Sequence, residues 1–160
     1  MVKIRLTHID GRLPNLALMK LSHWHKSKGD SVYLTRHIER ELTEGDYDIG
    51  YGSTSFAFSE KLTARFKQNF PKAILGGTGL WARAVTDIAD DIGKTIESEI
   101  IHGEYEHYDY SIYPDFKWSI GFTQRGCRLR CPFCVVPSKE GKPRSINTIH
   151  DIKYVQSNKG

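Results

Sequence analysis

Cysteine is scarce in this chain of 160 residues and is absent from its first 126 positions. The three cysteines that do occur lie within eight consecutive positions, at Cys127, Cys131 and Cys134. An odd number of cysteines cannot all be paired in disulfides, and nothing upstream offers a partner. We therefore interpret the cysteines as one local group in a protein of the reducing cytoplasm.

Long apolar runs are missing as well. No segment approaches the roughly 20 apolar residues that a membrane-spanning helix requires. Residues 1–6 alternate polar and apolar side chains, unlike the continuous apolar stretch of a signal peptide. Hydrophobic residues make up 39% of the chain and charged residues 26%, which is typical of a globular protein. The sequence thus predicts a soluble, cytoplasmic protein that makes no contact with a membrane.

The net charge of +4 is unevenly distributed along the chain. From position 119 onward, eight basic residues stand against two acidic ones, which gives this part +6 and leaves −2 for residues 1–118. A basic segment of this kind suits either a nucleic acid or an anionic group bound locally. The charge pattern alone leaves both interpretations open.

The first hundred residues alternate short apolar segments with segments of helical periodicity. Apolar residues recur every three or four positions after Pro14, before Pro71 and, more weakly, over residues 86–100, and these segments predict helices. Such a rhythm favours a parallel sheet covered by helices, in an α/β domain of flavodoxin-like or Rossmann-like type. The predicted strands are residues 2–6, 31–34, 47–51 and 73–75.

The loops that follow parallel strands usually form the ligand crevice of such a sheet. Here these loops are predicted at residues 7–13, 50–56 and 76–80. The last of them begins with Gly76 and Gly77, and glycines at such a place let the backbone approach a ligand closely. A tight turn without any ligand explains the pair equally well.

The cysteines follow the spacing C-x3-C-x2-C, in which three thiolates can converge from one short loop. Soft thiolate ligands favour zinc or an iron–sulfur cluster. A structural zinc site needs four ligands, and no histidine of this chain has the spacing of a zinc finger. A cubane cluster ordinarily takes four thiolates, so three would leave one iron with an open coordination site.

This motif, with Phe133 before the last cysteine and Gly-Phe-Thr-Gln-Arg-Gly at residues 121–126, resembles the signature of the radical S-adenosyl-L-methionine (SAM) superfamily. The resemblance implies that Cys127, Cys131 and Cys134 bind a [4Fe-4S] cluster, whose free iron holds the amino and carboxylate groups of SAM. It places Phe133 near the adenine. In that superfamily, an electron from a donor such as a flavodoxin or ferredoxin leads to cleavage of SAM and to a 5′-deoxyadenosyl radical. Residues 140–144 also resemble the stretch that follows the motif in several members.

Residues 1–100 resemble, more loosely, the cobalamin-binding-type domain that precedes many radical SAM barrels. The resemblance rests on residues 13–18 after the first strand and on Gly76 and Gly77 after a later one, and it implies cobalamin as a further ligand. Members that coordinate cobalt through histidine carry Asp-x-His-x-x-Gly, whereas residues 7–11 here read Thr-His-Ile-Asp-Gly. We therefore expect His8 to end a strand, and cobalamin stays an open expectation.

The resemblance implies three parts: a cobalamin-binding-like α/β domain at 1–100, a connector along the surface at 101–118, and the first strand, cluster loop and helix of a radical SAM barrel at 119–160. A complete barrel of eight strand–helix units has about 250 residues, far more than follow position 119. We therefore expect this chain to be a fragment or one piece of a split protein, inactive by itself in turning over SAM.

Two other functions stay open on the residues alone. The main alternative is a zinc-binding or nucleic-acid-binding module, which the basic segment after position 119 favours. A lesser one is a methylthiotransferase-like RNA-modifying enzyme, because the stretch after the cysteines is similar in that family. Methylthiotransferases carry three further cysteines upstream, however, and this chain has none before Cys127.

Overall fold

The computed structural model describes residues 1–81, 105–134, 136–150 and 152 of the chain. These residues belong to two compact units, Met1–Tyr113 and Pro114–Gly160. The first unit contains a four-stranded sheet and the second a two-stranded sheet. The helix predicted over residues 86–100 lies outside the described residues, and the domain boundaries at positions 100 and 118 stay predictions.

The sheet of the first unit is entirely parallel, which confirms the prediction of an α/β fold. Its strands appear in the order β2-β1-β3-β4. Each overlaps a segment that the sequence predicts as a strand, either from alternating polar and apolar residues, as in β1, or from a short segment that carries apolar side chains. The strands are β1 (Lys3–His8), β2 (Ser31–Thr35), β3 (Ile49–Ser53) and β4 (Ile74–Gly76).

Among residues 1–81 and 105–113, three α-helices accompany this sheet: α1 (Leu16–Ser27), α2 (Glu60–Asn69) and the short α3 (Thr78–Trp81). Helix α1 begins after Asn15, whose side-chain oxygen accepts the Leu18 N–H at 3.2 Å, as an N-cap asparagine does. Helix α2 ends shortly before Pro71, as the sequence predicts. Within the described residues, no helix is both long and apolar enough to cross a membrane.

The two longer helices cover opposite faces of the sheet. Leu18 of α1 packs in a cluster with Leu6 of β1 and with Ile74 of β4. Phe66 of α2 packs in a second cluster with Leu75, the next residue of β4. Since neighbouring residues of a strand point to opposite faces, the two clusters lie on opposite sides of the sheet.

Strand β1 is more completely buried than the alternation of polar and apolar side chains over residues 1–6 predicts. All residues from Ile4 to His8 are buried, because β1 lies inside the sheet and both faces are covered. Arg5 is accommodated by an ion pair with Glu44 and by the ring of Phe70, 4.2 Å from its guanidinium carbon. A buried charge is tolerated only when it is paired in this way.

Residues 105–113, which the sequence predicts as part of a surface connector, pack closely against α1. Tyr108 and Tyr110 are buried. The ammonium of Lys20 lies 2.7 Å from the carboxylate of Glu106, and both side chains are more than nine-tenths buried. This segment therefore belongs to the first unit and closes one side of its core.

The second unit is built around a small antiparallel pair, β5 (Gln124–Arg125) and β6 (Arg144–Ser145), with the short helix α4 (Val136–Glu140) between them. The sequence places a strand at residues 119–122. These residues are irregular, and the strand begins at Gln124, where β6 supplies a partner. The cysteines lie between β5 and α4.

Candidate functional site

The three predicted cluster ligands share one loop. Cys127 comes two residues after β5, whereas Cys131 and Cys134 belong to a turn closed by a hydrogen bond from the Cys134 N–H to the Cys131 carbonyl at 3.0 Å. All three are free thiols of intermediate exposure. The loop thus presents three unpaired thiols from one stretch of eight residues.

The two ends of this loop are joined just outside Cys127. The Cys127 N–H donates to the Gly141 carbonyl at 3.2 Å, and the Gly126 N–H donates to a carboxylate oxygen of Glu140 at 3.0 Å. The β5–β6 pairing continues the closure outward from this point. We call residues 124–127 together with residues 140–145 the loop neck.

Glycine is the one residue type that fits at position 126 of the loop neck without strain. Its backbone has φ of +77°, and a Cβ atom there would lie 2.2 Å from the carbonyl oxygen of Lys142. A side chain at this position would therefore strain the backbone and would clash with the neighbouring chain segment at Lys142. The glycine before the first cysteine is required by the closeness of the two chain segments, and no ligand is needed to explain it.

The arginines around the cysteines have different environments. Arg125 is buried, with its guanidinium 3.3 Å from Glu140 and 4.2 Å from the centre of the Phe122 ring. Arg128 and Arg130 are exposed. Arg125 is therefore a structural part of the neck, while the other two provide positive charge on the outside of the loop.

The three thiols match in number and in chemistry the cysteine ligands that the resemblance implies. The Cys127 sulfur accepts the Leu129 N–H at 3.4 Å, and N–H···S bonds of this kind stabilise thiolates and tune the potential of a cluster. In the part of the chain that the structure describes, no three histidine, cysteine or carboxylate side chains are grouped so that they could hold a metal ion. The three cysteines thus share one loop, and their binding of a common metal centre stays a prediction.

Phe133, which the resemblance places near an adenine, is the aromatic residue of the cysteine loop, and its relative exposure is 92%. It directly precedes Cys134 in the chain, and its exposed ring is open to a stacking partner. Whether that partner is an adenine stays a prediction.

A second candidate region lies at the carboxyl edge of the parallel sheet. His8, Ser53 and Gly76 are the last residues of β1, β3 and β4, and they lie side by side in register. The three loops that the sequence assigns to a ligand crevice leave the sheet at this edge. His8 ends β1, as the sequence predicts.

The polar side chains at this edge are joined in one hydrogen-bonded group. Asn15 donates its amide N–H to the Ser53 hydroxyl at 2.9 Å, and the Tyr113 hydroxyl lies 3.0 Å from Nδ1 of His8. Burial first, and then the charge of Arg36, lower the pKa of His8 to about 4, although Asp10 partly offsets them. The imidazole is therefore neutral at physiological pH.

Asp10 organises the loop that follows β3. Its carboxylate accepts the Thr54 hydroxyl at 2.8 Å and the backbone N–H groups of Ser55 and Phe56 at 2.6 and 3.0 Å. Burial by itself would raise the pKa of Asp10, but these hydrogen bonds and one from Ser59 outweigh it and hold the pKa below its usual value. The backbone N–H groups at this strand end are thus occupied by a carboxylate of the protein itself.

Gly76 and Gly77, the two glycines that the sequence assigns to the ligand crevice, differ in the space around them. Gly77 has φ of +111°, and a Cβ atom there would lie 2.0 Å from the Thr54 carbonyl oxygen. Close packing of two loops therefore accounts for Gly77. A Cβ atom at Gly76 would meet nothing within 4 Å, so this position has room on its open side. Contact of either glycine with a cofactor stays a prediction.

Several residues of these regions were not singled out from the sequence. Glu140 lies 14 positions beyond Gly126, and Tyr113 lies 105 positions beyond His8. Neither pair follows a helical or strand period that would have linked its members. The glycine before the first cysteine was the one local sign of a tight approach at the neck.

No protein-family model, curated protein or solved structure matches this chain.

Proposed function

We propose that this chain is the cluster-binding part of a radical SAM protein, with Cys127, Cys131 and Cys134 as ligands of a [4Fe-4S] cluster that binds SAM. The observation that carries the proposal is the presence of three free thiols on one loop whose ends are joined at the neck. When bound, such a cluster supplies the electron for reductive cleavage of SAM, toward a radical-based modification of a substrate.

The residues of the loop have distinct parts in this proposal. The cysteines bind as thiolates, and the exposed cations Arg128 and Arg130 lower the cost of holding several negative sulfurs close together. The Leu129 N–H stabilises the Cys127 sulfur through its hydrogen bond. Phe133 offers its exposed ring to the adenine of SAM.

We further propose that the first unit is a flavodoxin-like domain of the cobalamin-binding type. The strand order β2-β1-β3-β4 agrees with the first four strands of the order 2-1-3-4-5, in which ligands bind where the strand order reverses, at β1 and β3. The hydrogen-bonded group of His8, Asn15 and Ser53 lies at that point. Cobalamin is the ligand that this assignment suggests, bound without histidine coordination because His8 is buried and hydrogen-bonded to Tyr113.

The direct test is metal analysis of protein that has been purified and reconstituted without oxygen. We expect a brown protein with about four iron and four sulfide atoms per chain, and Cys131→Ala should lose the chromophore. Leu129→Ala is the matched control, since it truncates an exposed side chain of the same loop and leaves all thiols in place. A stable colourless protein with one zinc per chain would contradict the proposal.

A second candidate function is binding of single-stranded nucleic acid by the cysteine loop. Arg128, Arg130 and the ring of Phe133 are all exposed on this loop, and cations interleaved with an aromatic side chain form a stacking surface for bases. Binding of a fluorescent RNA oligonucleotide should weaken steeply with salt and should weaken further in Phe133→Ala. Absence of binding at low salt would remove this candidate.

A further inference from the structure

Glu140 uses all of its oxygen atoms at the neck of the cysteine loop. One carboxylate oxygen lies 3.3 Å from the guanidinium of Arg125, and the other accepts the Gly126 N–H at 3.0 Å. Its backbone carbonyl accepts a guanidinium N–H of Arg144 at 2.6 Å. The side chain of Glu140 is 16% exposed and that of Arg125 is 8% exposed, so the pair is largely shielded from water.

These contacts fix the backbone on both sides of the first cysteine. Glu140 holds Gly126, which precedes Cys127, and Gly141, which follows Glu140, accepts the Cys127 N–H. The Cys131–Cys134 turn is closed by its own hydrogen bond, whereas the hydrogen bonds of the Glu140 carboxylate go to Arg125 and Gly126. The Glu140 carboxylate therefore helps to position the backbone of Cys127, whereas the hydrogen bond within the turn positions Cys131 and Cys134.

We propose that Glu140 is a positioning residue that sets the backbone of Cys127 for cluster binding. This inference rests on the proposed function, because it assigns Glu140 a purpose only if the loop holds a cluster. Without the carboxylate, the Gly126 N–H and the Arg125 guanidinium would lose their shared acceptor. The loop would then open at the neck, and Cys127 would separate from Cys131 and Cys134.

The first arm of the test uses the full chain without metal. Hydrogen exchange read residue by residue should show that Glu140→Ala exposes the amides of Gly126 and Cys127, with exchange about tenfold faster, as loss of a charge-assisted hydrogen bond predicts. Glu140→Gln keeps an oxygen that can accept the Gly126 N–H, so it should restore most of the protection. Asp115→Ala is the control, because it removes an exposed negative charge from the same unit.

The second arm measures cluster retention after anaerobic reconstitution. Glu140→Ala should hold several-fold less iron and sulfide than the wild-type chain after gel filtration, Glu140→Gln should recover most of the loss, and Asp115→Ala should match the wild type. The signal of the reduced cluster in electron paramagnetic resonance should broaden in Glu140→Ala, since one of its thiolates is less firmly placed.

The two ways to fail are distinct. A wild-type chain that takes up no iron and sulfide would overturn the proposed function and this inference together. A wild-type chain that binds the cluster, beside a Glu140→Ala variant that keeps both the amide protection of Cys127 and the full cluster content, would overturn this inference alone.

Discussion

At the scale of single residues, the carboxyl edge of the sheet shows how burial decides protonation. His8 is 2% exposed, and its imidazole is neutral because charging it would cost hydration that the surrounding protein does not replace. The nearby Arg36 adds repulsion, whereas Asp10 favours the charged form and only partly offsets these effects. A neutral imidazole can keep its hydrogen bond with Tyr113 while lying beside a cation.

This protonation state predicts how stability depends on pH. The pKa of His8 is about 4 in the folded chain and about 6.5 in an unfolded one, so between these values the unfolded state binds more protons. Stability should therefore fall as pH decreases from 6.5 to 4, by up to about 3 kcal/mol for a fully buried group. Urea unfolding at several pH values measures this, and His8→Asn should reduce the slope in that window. Equal slopes for the two proteins would contradict the buried, neutral histidine.

Gly76, the last residue of β4, and Gly77, which follows it, give a second prediction at this scale. Gly77→Ala should lower the free energy of unfolding by more than about 2 kcal/mol, since it combines a left-handed backbone with a clash against Thr54. Gly76→Ala should cost less than about 1 kcal/mol, because the added Cβ meets open space. Urea unfolding separates the two variants, and similar losses in both would contradict the packing at Gly77.

The Gly76→Ala variant also tests whether the first unit binds cobalamin, as we propose. Gly76→Ala leaves the fold in place, so any loss of cobalamin binding, followed by the absorbance of the corrin, reports on a ligand that approaches this backbone. We expect weaker binding in Gly76→Ala than in the wild-type chain. Equal affinity in the two proteins would place the ligand elsewhere or exclude it from this crevice.

At the scale of elements, the segment 105–113 is held to α1 by buried polar contacts. Lys20 pairs with Glu106, and the Ser22 hydroxyl donates to Asp109 at 2.6 Å. Such contacts are specific because a buried charge that loses its partner is strongly destabilising. They explain how a polar, tyrosine-rich segment joins the core of the first unit.

Removing one member of the buried pair should therefore be costly. Lys20→Met leaves Glu106 buried without its cation and should lower the free energy of unfolding by about 3 kcal/mol. Lys26→Met, on the same helix, removes the partner of Asp109, but the side chain of Lys26 is 41% exposed and the loss should stay near 1 kcal/mol. Denaturant unfolding of both variants is the measurement. A loss in Lys20→Met no larger than in Lys26→Met would show that the pair does not hold the segment.

At the scale of the whole molecule, local sequence patterns predicted the strands and the helices. Contacts between residues far apart in the sequence determined which side chains are buried and what they bind. The four strands were predictable from short segments with alternating or consecutive apolar residues, and the grouping of the cysteines was visible from their spacing. The full burial of Arg5 was not, since its partner Glu44 lies 39 positions away. The closure at Gly126 and Glu140 was missed for the same reason, because no periodic pattern connects a strand end with a helix end across a loop.

The proposed function requires that the three thiols bind a cluster and leave one of its irons open for SAM. Electron paramagnetic resonance of the reduced, reconstituted chain, recorded with and without SAM, addresses this most directly. We predict the signal of a reduced [4Fe-4S] cluster whose g-values shift when SAM is added, and no such signal in Cys127→Ala. The absence of a cluster signal in the wild-type chain, or a signal that SAM leaves unchanged, would contradict the proposal that these three cysteines hold a cluster that binds SAM.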